Sequence, residues 1–144
     1  MKTERSCGVL MHITSLPGKY GIGTMGKEAY EFADFLRRSG QSYWQILPTG
    51  PVCEPEFSPY ESTSTFAGNP LFINTDLFSE KSWVPADVLA VHEFFPPSHA
   101  ADYPRAEQRM MEKMKAIFAL FQESAPKSEK EAFAKFCKET TSWL

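Results

Sequence analysis

Few cysteines, no excess of positive charge and no long apolar run: each of these shortages removes a class of protein from consideration. The 144 residues include only 3 cysteines. Cys7, Cys53 and Cys137 are odd in number, far apart and in no Cys-x-x-Cys or Cys/His spacing, so neither a disulfide framework nor a zinc site is expected and the thiols are read as reduced. The formal net charge is −3 with acids and bases interspersed, which leaves no basic stripe to neutralise nucleic-acid phosphates or anionic lipid. The apolar run Val9-Leu10-Met11 is broken by His12, too short for a signal-peptide core or a membrane span. A cytoplasmic protein without nucleic-acid or membrane partners is expected. Internal repeats, low-complexity tracts and charge blocks are lacking too.

What the chain does have is enough apolar residue, 42%, to build a core. Gly8 to Ile13 reads as a continuous apolar strand of the kind covered on both faces. Thr14 to Gly23 is a loop, and Thr24 is a suitable N-cap for the segment that follows. There Ala29, Phe32, Ala33 and Leu36 recur at helical spacing, Phe35 widens the stripe, and Lys27, Glu31, Asp34, Arg37 and Arg38 occupy the other side. Gly40 can supply the left-handed residue that ends this helix. Tyr43 to Leu47 is a second strand, stopped by Pro48. Strand, loop, helix, turn and strand in this order make a βαβ unit, whose two strands are parallel. In such sheets the loops after the strands' carboxyl ends build the active site, so Thr14 to Gly23 and Pro48 to Asn69 are expected on one functional face. His12 and Gln45 are polar groups inside apolar strands and need partners there.

The chain is organised around Gln41 to Asn74. Between Pro48 and Pro70 five prolines fall in a stretch with no helical period, yet it keeps Phe57, Tyr60 and Phe66, which a solvated linker has little reason to carry. A pyranose offers C–H faces that pack on aromatic rings and hydroxyls that need short polar partners. Tyr60 among Ser58, Ser62, Thr63, Ser64 and Asn69 supplies those groups. Glu54, Glu56 and Glu61 are read as solvated loop acids.

Downstream, Leu71-Phe72-Ile73 reads as extended and Asn74 to Glu80 as turn and loop. Pro85 to Val91 reads as one or two helical turns, and His92 to Tyr103 as an irregular connection with His92 and His99 at the surface. Met110, Met114, Ile117, Phe118 and Phe121 share one face of a helix expected over Arg105 to Phe121. Ser128-Glu129-Lys130-Glu131 fits a capping box for a last helix that carries Ala132, Phe133, Phe136, Cys137, Thr140 and Trp143 on its period. Ending on Trp143-Leu144 without glycine or proline, that helix suggests a chain that continues.

The motifs GVLMHITSLPGKYGIGTMGKEAYEFADFL, GQSYWQILP, GP, SPY and FAGNPL, in this order and spacing, resemble the N-terminal part of the 4-α-glucanotransferases, also called amylomaltases or disproportionating enzymes, of glycoside hydrolase family 77. The likeness is dense from Cys7 to Asn74 and rests beyond that on a helical insertion leading to FCKETTSWL. It implies an α/β fold that opens a (β/α)8 barrel: residues 1–80 as its N-terminal part with substrate loop 48–70, and residues 81–144 as a helical inserted subdomain, the barrel being incomplete within this chain. The activity implied is transfer of α-1,4-glucan segments between maltooligosaccharides or to glucose, with no metal or organic cofactor, by a retaining double displacement whose catalytic carboxylates lie downstream of Leu144. Matching the family motif, Tyr60 and Ser58 are implied as substrate contacts, with Pro59 and Asn69 as loop support. The chain departs from the family before SPY, where a glycine-rich run with its own tyrosine and an aspartate is replaced by Val52-Cys53-Glu54-Pro55-Glu56-Phe57. The alternative is a non-catalytic glucan-binding module. A hydrolase of the α-amylase kind is disfavoured because no convincing carboxylate pair is present. An unclosed pair of parallel strands is also expected to leave an apolar face uncovered and prone to self-association. Oligomeric state is not legible.

Overall fold

The computed structural model describes residues 5–90 and 100–142. The expectations for His92, His99, Trp143 and Leu144 lie outside them. Strand β1 (Gly8–Leu10) pairs in parallel with β2 (Tyr43–Gln45), with Val9 opposite Trp44, and helix α1 (Lys27–Arg38) makes the crossover. The βαβ unit therefore forms as its pattern predicts. α1 closes in a Schellman motif: Gly40 adopts φ 73°, the Gly40 N–H donates to Arg37 O and the Gln41 N–H to Leu36 O.

Both strands are shorter than their apolar runs. The Met11 N–H still donates to Gln45 O at 3.0 Å, but the chain then tightens into a 3₁₀ turn over Ile13–Ser15. The Leu47 N–H is taken by a side chain, His12 Nδ1, instead of a neighbouring strand. Nor is β1 covered on both faces. Val9 and Trp44 are half-buried on the α1 side, where the Trp44 ring meets Phe32 edge-on at 5.0 Å and its Nε1 donates to Met11 O at 2.7 Å. Leu10 and Tyr43, on the other face, are 60% and 65% exposed. The uncovered apolar face expected of an unclosed sheet is present.

Other departures have local causes. Thr24 does not cap α1: the N-cap is Gly26, and the Thr24 hydroxyl accepts instead from Asn74 Nδ2. Ala33 and Phe35 are exposed, so the core-facing stripe of α1 narrows to buried Leu36 and half-buried Ala29 and Phe32. Leu71 and Phe72 are not extended: Pro70 starts a 3₁₀ turn, Pro70–Phe72, because Asn69 Oδ1 accepts the Leu71 N–H and proline has no N–H to leave unpaired. Asn74 repeats the device for the 3₁₀ helix Thr75–Glu80, expected as loop. The turn after Pro85 is the single-turn helix α2 (Ala86–Leu89).

Helix α3 (Tyr103–Ser124) is longer than its apolar period at both ends. Asp102 accepts the Arg105 N–H as its cap, and Pro104 sits in the first turn where proline is tolerated. Helix α4 (Lys127–Glu139) starts from Pro126 without a side-chain cap, which removes the capping box assigned to Ser128; this serine lies inside the first turn. α4 buries no residue fully and leans on α3 through Phe133, whose ring meets Phe118 and Phe121 edge-on at 5.8 and 5.4 Å.

The core falls into three apolar clusters, two of which share α3 as their spine. Tyr20, Ile22 and Leu71 pack on Ala106 and Met110, and Val84 and Leu89 pack on Ile117, with Met114 touching both groups. Ile13, Leu16 and Phe72 fill the space between the sheet and α1. The loops after both strands are thus held from beneath by the helical part.

Candidate glucan-binding site

Because β1 and β2 are parallel and in register, the segments after Leu10 and after Gln45 leave the sheet at the same end. Side chains tie them together there. His12 is buried, accepts the Leu47 N–H at 3.3 Å and meets the Phe72 ring edge-on at 5.4 Å. Burial lowers its pKa below the usual histidine value, and an accepting Nδ1 requires the neutral ring with its proton on Nε2. His12 therefore has a structural partner; Gln45 is exposed. Tyr20, buried in the first loop, hydrogen-bonds Thr75, and burial is the leading cause that raises its phenol pKa. The Lys113 ammonium sits 5.2 Å above the Tyr20 ring and donates to Leu89 O and Ala90 O, and desolvation followed by Lys19 lowers its pKa.

The long loop is anchored at both ends and in the middle. The Asn69 N–H donates to Thr49 O at 2.9 Å and closes its neck; Asn69 is itself buried. Ser62 Oγ donates to Ser64 O, and Ser64 Oγ accepts the Ala67 N–H. Phe57 is buried, with 6% exposure, and stacks on Tyr103 at 5.2 Å and 21°. Tyr60 is the opposite case, with 72% exposure. Ser58 is half-buried beside half-buried Pro59, and its Oγ accepts the Tyr60 N–H at 3.3 Å, which occupies one lone pair and leaves the hydroxyl proton for another partner. Glu54, Glu56 and Glu61 are exposed. A cleft of about 710 Å³ runs between this loop and the start of α3, lined by Pro51, Val52, Asn69, Leu71, Asp102 and Met111 among others.

The geometry thus offers a ring and a hydroxyl on a pinned loop, a platform for binding. Among the described residues no group of three His, Cys, Asp or Glu side chains could hold a metal, and no helix is long and apolar enough to cross a membrane. Sequence reasoning missed Tyr103, placed in an irregular connection. The signal was available, since Asp102-Tyr103-Pro104 carries an N-cap residue with proline just inside the helix.

Residues 11–144 match the family model described as 4-alpha-glucanotransferase. The chain is 45% identical over 134 residues to the 4-alpha-glucanotransferase of Clostridium butyricum, covering 93% of this chain and 26% of the relative. It is 39% identical over 144 residues to that of Thermus thermophilus, covering 100% of this chain and 28% of the relative. The structure superposes on the amylomaltase of Streptococcus agalactiae, solved in complex with acarbose, with a TM-score of 0.81 and 34% identity, across 96% of this chain and 27% of that one. The chain accordingly spans about a quarter of the length of the curated relatives it matches. By the family match over residues 11–144 and by relatives identical to it at 45% and 39%, it belongs to the 4-alpha-glucanotransferase family.

Proposed function

We propose that this chain supplies one wall of the glucan cleft of a cytoplasmic 4-α-glucanotransferase, which moves α-1,4-glucan segments between maltooligosaccharides or to glucose. The carrying observation is Tyr60: a 72% exposed ring on a loop fixed by Phe57, Ser64 and Asn69. A large apolar ring held out to solvent on a rigid support can pack against the C–H face of a pyranose at little ordering cost. The Ser58 hydroxyl, next but one in sequence, can donate to a sugar oxygen, while Pro59 and Asn69 hold the loop's course. Further support comes from the family membership and from the amylomaltase neighbour, whose complex contains acarbose.

On this proposal the parallel βαβ unit opens a (β/α)8 barrel, residues 1–80 belong to that barrel, and residues 81–144 form an inserted helical subdomain. Double displacement with retention needs a carboxylate nucleophile and a carboxylic acid on either side of the scissile bond, and no residue of this chain is assigned to either. The fragment contributes binding.

The test is to read the source gene past Leu144 and assay the longest reading frame with maltotriose. Formation of both glucose and longer maltooligosaccharides, with Tyr60→Ala raising KM for maltotriose, supports transfer. Glucan binding without either product points to a binding module. Absence of both binding and product overturns the proposal.

A further inference from the structure

Tyr60 cannot hold its own position. Its ring is 72% exposed, and the nearest buried residues along the loop are Phe57 on one side and Asn69 on the other. Phe57, three positions away, is therefore the closest packed anchor. Its backbone is unusual: φ is 50°, a left-handed value that a bulky aromatic residue rarely adopts, with its N–H donating to Cys53 O at 2.9 Å. Such a conformation persists where the surroundings over-determine it, and here the surroundings are the Tyr103 ring, stacked on Phe57 at 5.2 Å.

Tyr103 is well placed for this. It stands at the first position of α3, fixed by the Asp102 cap and by the Asp102 N–H donating to Gly21 O, and it packs beside Tyr20, Ile22 and Met110. Its hydroxyl lies 2.8 Å from Thr14 Oγ1, a buried group in the segment that follows β1. One side chain from the helical part thus touches both loops at the carboxyl end of the sheet: the first through its oxygen, the second through its ring.

We propose that Tyr103 is a positioning residue for Tyr60. By stacking on Phe57 while bonded to Thr14, it fixes the Ser58-Pro59-Tyr60 turn relative to the first loop, so that the Tyr60 ring meets a sugar already oriented. This inference rests on Tyr60 being a glucan contact. A ring that binds ground state and transition state alike affects KM and leaves kcat, and displacing it does the same.

The experiment measures kcat and KM for maltotriose with the chain and whatever sequence continues it in its gene, for Tyr103→Leu, Tyr103→Phe, Phe57→Leu, Tyr60→Ala and the double variant Tyr60→Ala/Tyr103→Leu. Tyr103→Leu is expected to raise KM about tenfold with kcat held within about twofold, and Tyr103→Phe, which keeps the stack and loses the Thr14 bond, about threefold. On the Tyr60→Ala background, Tyr103→Leu is expected to add nothing, because a residue that acts only through Tyr60 has no effect once that ring is gone. A merely structural tyrosine would give additive effects, and additivity overturns the proposal. So does an unchanged KM in Tyr103→Leu while Tyr60→Ala is impaired. If Tyr60→Ala is itself without effect, the glucan assignment of Tyr60 fails first and takes this proposal with it. Phe57→Leu breaks the same stack from the other side and decides the matter should Tyr103→Leu fail to fold.

Discussion

His12 Nδ1 accepts the Leu47 N–H at 3.3 Å, so the imidazole takes over at the point where backbone pairing between the two strands stops. The bond exists only with the neutral ring, and burial lowers the His12 pKa below 6.5. The unfolded chain then takes up a proton first as pH falls, so between the unfolded and folded pKa values it binds more protons than the folded chain, and stability drops with pH across that window. Thermal unfolding followed by circular dichroism should show Tm falling from about pH 7.5 to about pH 5, with a shallower slope in His12→Asn, whose amide oxygen can accept the same N–H without titrating. An equal slope in the variant would show that other groups carry it.

Gly23 is required by close approach. A Cβ at this position would lie 2.2 Å from Ile13 O and 2.6 Å from Leu16 Cβ, and the first of these is backbone that cannot rotate away. Gly23→Ala must push the first loop off the end of β1 and is expected to cost about 3 kcal/mol, read from the urea midpoint. Gly40→Ala meets no neighbour, but the φ of 73° is lost to it, and about 1 kcal/mol is expected.

Met110 is 1% exposed between Tyr20, Ile22 and Leu71. Met110→Ala leaves a cavity where α3 supports both loops and should destabilise by about 2–4 kcal/mol. Its neighbour Met111, 42% exposed, is the control, with Met111→Ala expected to stay within about 0.5 kcal/mol in the same denaturation series.

Leu10 and Tyr43 lie on the sheet face turned away from α1 and are both more than half exposed. The 144-residue chain should associate as its concentration rises, in sedimentation velocity or light scattering, and Leu10→Lys with Tyr43→Lys should keep it monomeric. Association unchanged by both lysines would place the sticky surface elsewhere, with the exposed rings of Phe133 and Phe136 on α4 next to be tested.

The chain's order of elements could be read before any coordinates because each signal is local. The apolar stripe of α1, the stop at Gly40 and the breaker at Pro48 all act within one or two turns of backbone, and the parallel pairing follows from the length of the crossover. Misreadings arose where one side chain chose among several local partners. Thr24 could have capped α1 but accepts from Asn74, fifty positions away, and Pro104 could have ended a segment but starts one because Asp102 caps the turn. Of the candidate site, SPY could be picked out by residue type and by resemblance, whereas the stack of Phe57 on Tyr103 could not.

By itself, then, the sequence determined the βαβ unit, the two long helices, the family and the loop on which Tyr60 stands, since periodicity and turn chemistry are properties of neighbouring residues. Which of the loop's aromatics would be buried was a different kind of question. Phe57 and Tyr60 carry the same local cues, and only packing against Tyr103, forty-six positions downstream, sends the first inward and leaves the second in solvent. Burial is a contest for a finite apolar surface, and that surface does not exist until α3 has docked.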